Sequence, residues 1–332
     1  MSSVDSNSDP IFILGAMQRS GTNFLHDLIC LHPDCCAGGV IWEDYLVHHS
    51  NLLTRYADSV FKYWNPRWEV DKRIGPPDLL CRCLGDSLIS FLNLQLSAKS
   101  SGQEGTADRG PETSQNPTSK RLVTKTPSVN NIRHFFKIFP RCHLIIIIRD
   151  GRSVVESGVK SFNWEYERGM QRWAHAACTI CEFKRAMRDY QHQYLIVRYE
   201  DLVGNAKREL TKILSFLRLD VKRYDFDSSV QLPVKGSSDV MTQGAENMHW
   251  QPVEKTSAFN PLNRWAHWTA DLHDRFNWVA GKYLAEFGYA KEIQPINPFA
   301  SVIKNVVLDI RWEFKRVIKA LQRKLLHKLT HD

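Results

Sequence analysis

The 332-residue chain contains no run of about 18 apolar residues, the length a helix needs to cross a bilayer. Its early apolar run, Ile11 to Met17, is much shorter and follows the polar stretch Met1 to Pro10, so no secretory leader is read there. Cys35-Cys36, Cys81-x-Cys83 and His48-His49 lack the spacing of structural zinc sites, and no metal is expected. Cys178 and Cys181 fall three apart in a helical pattern, which reads as core packing rather than a redox pair. Eight cysteines without a leader suit reduced thiols and a cytoplasmic location. Glycine (17) and proline (14) are ordinary and 43% of residues are hydrophobic, which excludes collagen-like and wholly disordered chains. A chain this long buries a sizeable core without staples.

Acidic residues are scarce mainly at one end. The chain has 36 against 44 basic residues, a net charge of +8. From Ser301 onward eight basic residues face three acidic ones, so the tail holds +5 and the body only about +3. A body this near neutral argues against a nucleic-acid partner. The tail itself, Val302 to Leu329, repeats apolar residues at helical spacing beside its basic ones. Three roles stay open for it: packing on the body, contact with a second copy, or lying on an anionic membrane surface.

Ile11 to Leu14, ended by Gly15, predicts a buried strand, and Asn23 to Leu31 a helix stopped at His32-Pro33-Asp34. Further strands are predicted at Arg121–Thr124, His143–Ile148 and Tyr194–Tyr199. Helices are predicted at Asn131–Phe139, from about Arg152, at Trp173–Tyr190, at Ala206–Phe216 and at Leu272–Phe287, the last closed by Gly288. The run His143–Ile148 is branched and apolar, as a parallel strand covered on both faces requires. This alternation predicts an α/β fold, a doubly wound and mostly parallel sheet flanked by helices, with ligands at the strand C-termini. The expected organisation is a disordered N-terminus (1–10), one main domain (11–298) with a flexible polar insertion (99–120), and the basic amphipathic helical tail (299–332).

Two motifs carry chemistry. Gly15-Ala16-Met17-Gln18-Arg19-Ser20-Gly21-Thr22-Asn23 joins the first strand to the first helix. Backbone N–H groups at a helix N-terminus suit a phosphate, and Arg19, Ser20 and Thr22 add donors. The motif lacks the lysine that a Walker A loop needs after its last glycine, which disfavours an ATPase or GTPase. The second motif, Arg149-Asp150-Gly151-Arg152 through Ser157, leaves the end of the His143–Ile148 strand. Ser157 sits about two turns into the next helix, within reach of an anion also held by Arg149. Each motif alone also suits an ordinary connection or a salt-bridged arginine.

Together the two motifs resemble the signature of sulfotransferases that use 3′-phosphoadenosine-5′-phosphosulfate (PAPS). In that family R-S-G-T forms the 5′-phosphosulfate loop, and R-D-G-R-x-x-x-x-S binds the 3′-phosphate. Lys125-Thr126-Pro127 resembles the family's K-[DT]-P element, and Leu31-His32-Pro33-Asp34 its helix exit. Tyr199-Glu200-Asp201-Leu202 resembles Y-E-[DQ]-L, whose tyrosine lies near the adenosine. Lys255 with Trp265, and Gly288-Tyr289, complete a resemblance from Ile11 to Tyr289. The steroid and phenol enzymes carry lysine where Arg19 stands and a histidine soon after the K-T pair, where this chain has Pro127. The pattern is therefore nearer the tyrosylprotein, carbohydrate and bacterial branches.

The resemblance implies a P-loop NTPase-like sulfotransferase fold, PAPS as donor, its product PAP (3′-phosphoadenosine-5′-phosphate), and no metal requirement. The implied donor contacts are Arg19, Ser20, Gly21, Thr22, Asn23, Phe24, Arg149, Ser157 and Tyr199, with Ser238 and Lys255 closing over the nucleotide. The acceptor would be a hydroxyl on a small molecule, a carbohydrate or a tyrosine. Arg19 and Lys125 are expected to offset charge on the departing oxygen. Glu43 is the expected base, with Asp44 and His26 as alternatives. Trp42, Tyr45, Phe61, Tyr63, Trp64 and Trp68 serve either an acceptor pocket or the core. Two other readings compete: a nucleotide-dependent phosphotransferase, and a non-catalytic nucleotide-binding or membrane-associated protein.

Overall fold

A computed structural model describes residues 9–100, 120–233, 261–289 and 298–329. In chain order the elements are β1 (Ile11–Gly15), α1 (Thr22–Cys30), β2 (Cys35–Ala37), α2 (Ser50–Tyr63), α3 (Val70–Arg73), α4 (Pro77–Ser100), β3 (Arg121–Thr126) and α5 (Phe135–Ile138). They continue as β4 (His143–Ile148), α6 (Gly151–Phe162), α7 (Tyr166–Ala186), β5 (Tyr194–Arg198), α8 (Tyr199–Gly204), α9 (Ala206–Phe216), α10 (Phe226–Gln231), α11 (Ala270–Glu286) and α12 (Pro298–Leu329).

The five strands form one parallel sheet in the order β2-β3-β1-β4-β5. β1 and β4 are buried along their whole length, which explains the unbroken apolar runs Ile11–Leu14 and Leu144–Ile148. Alternation in β1 sorts its side chains between two cores. Ile11 and Ile13 join Leu25 and Leu28 of α1 and Leu210, Ile213 and Leu214 of α9 on one face. Phe12 points to the other face, against Phe135 at 5.3 Å and Phe139 at 4.8 Å between ring centroids. Both faces are thus covered, and the doubly wound α/β architecture expected from the sequence is present.

The chain leaves β1 toward β2 and β3 on one side, then crosses to β4 and β5 on the other. The ends of β3, β1 and β4 therefore meet at a topological switch point, where open α/β sheets take their ligands.

Several boundaries differ from the periodicity reading. The segment Asn131–Phe139 is a short turn plus α5, because Asn131 itself adopts a left-handed conformation (φ 61°). α7 starts at Tyr166, ahead of Trp173, and ends at Ala186. Tyr199 opens α8 instead of closing the strand. The three-residue β2 is too short to show a pattern, and it contains Cys35 and Cys36.

Among the described residues one helical stretch, Pro77–Leu96, is long and apolar enough to cross a membrane by length and composition. Arg82 and Asp86 interrupt its apolar runs, so no continuous stretch marks it in the sequence. Its buried residues include Cys81, Leu92 and Leu96. At Gly85 it comes so close to α5 that a Cβ there would collide with the Ile138 carbonyl.

The chain parts into two compact units, Met1–Arg264 and Trp265–Asp332. The first holds the sheet. In the second, Arg275 of α11 donates to the Asn305 side chain (3.2 Å) and to Asp309 (2.7 Å) of α12. Gly288 follows α11 at φ 71°, the left-handed conformation expected of its terminator.

Two stability predictions follow from this packing. Gly85→Ala must move α4 away from α5, and its urea midpoint should fall by the equivalent of about 1–3 kcal/mol. An unchanged midpoint would show that the helices separate freely. His143 is buried beside the Arg121 guanidinium, and burial first and then that charge pull its pKa down to about 4. The unfolded chain takes up this proton near the ordinary 6.5, so stability falls as pH drops from about 6.5 to about 4. Denaturant titrations should show His143→Gln losing less stability than wild type between about pH 7 and about pH 5.

Candidate active site

The loop after β1 folds against β4 through Ala16 N–H, which donates to Ile147 O at 2.9 Å. It then turns tightly. Ser20 N–H donates to Met17 O, and Met17 N–H to Ser20 Oγ, both at 3.2 Å. Arg19 (φ 74°) and Gly21 (φ 100°) both take left-handed backbone conformations. Gly21 is required twice over, since a Cβ there would also strike the Tyr199 ring. Gly21 caps α1 without a side chain, so no side-chain cap satisfies the first N–H groups of the helix. Those N–H groups and the helix dipole favour an anion at this end.

The Arg149 motif braces the same loop. Arg149 is buried; its Nη1 donates to Arg19 O at 3.1 Å, its Nη2 to Pro261 O, and its guanidinium lies 4.7 Å from the Tyr199 ring centroid. Its Nε is buried with no hydrogen-bond partner among the described residues. Ser157 is fully buried, and its Oγ accepts from Arg19 Nε (2.8 Å) and Arg264 Nη1 (3.3 Å). Arg149 and Ser157 thus converge on Arg19, one through its carbonyl and the other through its side chain. Asp150 accepts from Arg152 N–H (2.9 Å) as the α6 cap and pairs with the buried Arg152 guanidinium (2.7 Å). Glu200 accepts from Asp150 N–H at 2.9 Å.

A third group lies at the end of β3. Lys125 Nζ donates to Trp42 O at 2.7 Å. Asp44 accepts from Thr124 (2.7 Å) and Thr126 (3.2 Å) hydroxyls and from Leu46 N–H (2.7 Å). Asp44 N–H donates to Lys125 O (3.2 Å), and Tyr45 N–H to Thr126 Oγ1 (3.0 Å). This lacing clips residues 42–46 along the strand and leaves Glu43 on the outside. Burial raises the Asp44 pKa even though its hydroxyl and N–H partners pull the other way. Tyr45 donates its hydroxyl to Glu43 Oε2 at 2.8 Å, and burial with that contact pushes its pKa up to about 12.

These groups surround a cavity of about 900 Å³. Of the residues expected from the sequence, Arg19, Gly21, Thr22, Asn23, Phe24, Glu43, Lys125, Arg149 and Tyr199 line it. Ser20 and Ser157 do not; both are buried and hold the loop's shape. Ser238 and Lys255 lie outside the described residues. Among the three carboxylate and histidine alternatives, Glu43 alone reaches the cavity. Asp44 stands behind it, and His26 bonds to Asp27 (3.0 Å) on α1. Of the six aromatics, Trp42 alone lines the cavity. Phe61 and Trp64 pack on each other at 4.7 Å, and Tyr63 and Trp68 are exposed.

The structure adds Asp27, Phe162 and Arg264 to the lining. Arg264 stands next to Trp265, which was the available sequence signal. Phe162 ends α6 beneath the Arg19 guanidinium at 5.7 Å, a contact no local pattern announces. The lining carries four cations, Arg19, Lys125, Arg149 and Arg264, against Asp27 and Glu43. Among the described residues no group of three or more His, Cys, Asp or Glu is arranged to hold a metal ion.

A cavity at a sheet switch point with four cations against two carboxylates and an uncapped helix start suits a protein that binds or transfers an anionic group. Residues 10–223 match the profile of the Sulfotransferase family, and the chain belongs to that family. Two curated relatives are similar to it. One is a protein-tyrosine sulfotransferase of Drosophila melanogaster, 22% identical over 216 residues, covering 63% of this chain and 38% of the relative. The other is protein-tyrosine sulfotransferase 1 of Danio rerio, 21% identical over 218 residues, covering 63% and 53%. The match thus spans about two fifths and one half of those relatives' lengths. Among solved structures, the sulfotransferase domain of the Synechococcus PCC 7002 olefin synthase aligns with a TM-score of 0.41 at 21% identity, covering 73% of this chain and 84% of that one.

The Asp44 clip generates a prediction. Asp44→Ala leaves two buried hydroxyl donors and an N–H without their acceptor and should cost about 1–3 kcal/mol in denaturant unfolding. Asp44→Asn keeps the shape and an acceptor oxygen and should lose less. Equal losses in the two variants would count against the hydrogen-bonded clip.

Proposed function

We infer that the chain moves a sulfuryl group from PAPS to an acceptor hydroxyl on a small molecule, a carbohydrate or a tyrosine. The observation that carries this reading is the placing of Glu43 in one cavity with Arg19 and Lys125. A general base and fixed positive charge then stand on the same reacting space.

The residues fit the donor's chemistry. Four cations, the uncapped start of α1 and the unpartnered Nε of Arg149 suit a ligand with several anionic groups. Phe24 and Tyr199, with ring centroids 6.0 Å apart, offer aromatic surface to a purine. When bound, the donor supplies an activated sulfuryl group whose transfer leaves negative charge on the nucleotide.

Arg19 and Lys125 oppose that charge. Each is fixed before reaction, Arg19 by Ser157 and Lys125 by the Trp42 carbonyl, so little reorganisation is needed as charge develops. Glu43 takes the proton of the acceptor hydroxyl, and the Tyr45 hydroxyl holds its carboxylate in one orientation. Arg149 keeps the loop's shape through Arg19 O and, as part of the lining, adds fixed positive charge for the nucleotide. The names of the two curated relatives make a tyrosine peptide the first acceptor to try.

The test is a thermal shift with PAP beside ADP–Mg²⁺, followed by sulfuryl transfer from PAPS. A ligand at about a hundred times its Kd adds about 2.7 kcal/mol of stability, and PAP alone should give it. Glu43→Gln should keep the PAP shift while turnover falls about 10²–10⁴-fold. Lys125→Ala should lower turnover about 10²–10³-fold. Stabilisation by ADP–Mg²⁺ instead, or by neither ligand, overturns the reading.

A further inference from the structure

α12 is 32 residues long, and one of its faces is engaged with α11. Ser301 Oγ donates to Asp274 at 2.7 Å, Asn305 Nδ2 to Asp274 at 2.9 Å, and Trp278 Nε1 to Asp309 at 2.8 Å. At 3.6 residues per turn the opposite face carries Ile303, Val306, Ile310, Phe314, Val317 and Leu321. All six are exposed, as is Phe299 at the start of the strip. From Phe299 to Leu321 the strip is about 33 Å long at 1.5 Å per residue. With Val302, Val307 and Ile318, which are also exposed, the apolar arc spans about 160° at 100° per residue, wider than the narrow seam of a coiled coil.

The charges beside the strip are unevenly placed. Lys304, Arg311 and Lys315 share the flank between the apolar strip and the face packed on α11, and Lys319, about five turns after Ser301, lies on the side opposite the strip. Lys304 pairs with Asp271 at 2.6 Å. Arg311, Lys315 and Lys319 are exposed and have no carboxylate partner among the described residues. On the other flank the acids are occupied, Asp309 by Arg275 and Glu313 by Arg316 at 3.1 Å. A second copy of this chain would cover the strip only by bringing two +5 tails together. An anionic bilayer covers the apolar strip and neutralises the free cations at once.

We propose that α12 is an interfacial helix that docks the protein on an anionic lipid bilayer. Its apolar strip lies at the boundary of headgroups and acyl chains, and Arg311 and Lys315 beside it meet lipid phosphates. The inference is independent of the proposed reaction.

The full chain is sedimented with phosphatidylcholine vesicles and with vesicles containing about 30% phosphatidylglycerol, where polybasic segments gain most. Binding to the mixed vesicles is expected to be at least ~10-fold stronger and to weaken as salt is raised. The double variant Ile310→Glu with Phe314→Glu should abolish it, and the charge variant Arg311→Glu with Lys315→Glu should remove the preference for phosphatidylglycerol. Both should melt at the wild-type temperature, since every substituted side chain is exposed. Three results overturn the proposal: equal binding to both vesicle types or to neither; a lipid-free dimer by light scattering that the double variant dissociates; or a lowered melting temperature in the double variant, which would assign the strip to the protein's own packing.

Discussion

Hydrogen bonding of β1 between β3 and β4 in one register pairs Ile13 with Lys125 and Gly15 with Ile147. That register is the constraint on which the cavity depends. It sets the phosphate-type loop after Gly15, the ammonium of Lys125 and the guanidinium of Arg149 at the same end of the sheet. A slip of one residue would turn Lys125 to the opposite face and carry the apolar residues of β3 with it. The sheet is covered on both sides, so burying charged or polar groups would oppose any such slip.

The motif residues divide their labour in a way their sequence adjacency hides. Ser20, Asp150, Arg152 and Ser157 are buried, and each bonds a protein partner. His32, in the helix-exit motif, is likewise buried, bonding Asp34 N–H at 3.1 Å and Asp220 O at 3.0 Å. These groups make the loops rigid. Arg19, Lys125 and Glu43 face the cavity, held by Ser157, the Trp42 carbonyl and the Tyr45 hydroxyl in turn. Two left-handed residues in the first loop, three acceptor contacts on Asp44 and the Arg149–Tyr199 stack supply the necessary strain and support. A polar site fixed in this way gains electrostatic strength, because its dipoles need not reorient when charge appears.

The opposite end of the sheet is built for stability. Arg121 is buried there, donating to Leu217 O at 2.7 Å and Asp9 O at 3.1 Å. Nearby, burial pushes the Cys35 thiol up to about 12 and raises that of Cys142, so both stay protonated. Arg121 carries its charge into the interior because backbone carbonyls satisfy it. The chemistry at one end therefore rests on a sheet anchored at the other by groups that never meet a ligand.

Local patterns in the chain determined much of this. Unbroken apolar runs specify β1 and β4, 3.6-residue spacing specifies α9 over its full extent, and Gly288 marks the end of α11. The ordered motifs around Arg19, Lys125, Arg149 and Tyr199 were legible because loop geometry and charge at strand ends are encoded by a few adjacent residues. Tertiary structure alone decided which motif side chains face the cavity and which fold the loop. The spacing of Ser157 from Arg149 was visible in the sequence, whereas its burial beneath Arg19 and Arg264 was not. Glu43 and Asp44 are neighbours in sequence, and the hydrogen bonds from Thr124 and Thr126, some eighty residues away, hold Asp44 behind the cavity that Glu43 lines. Burial and partner choice are properties of contacts distant in the chain, and short-range periodicity does not contain them.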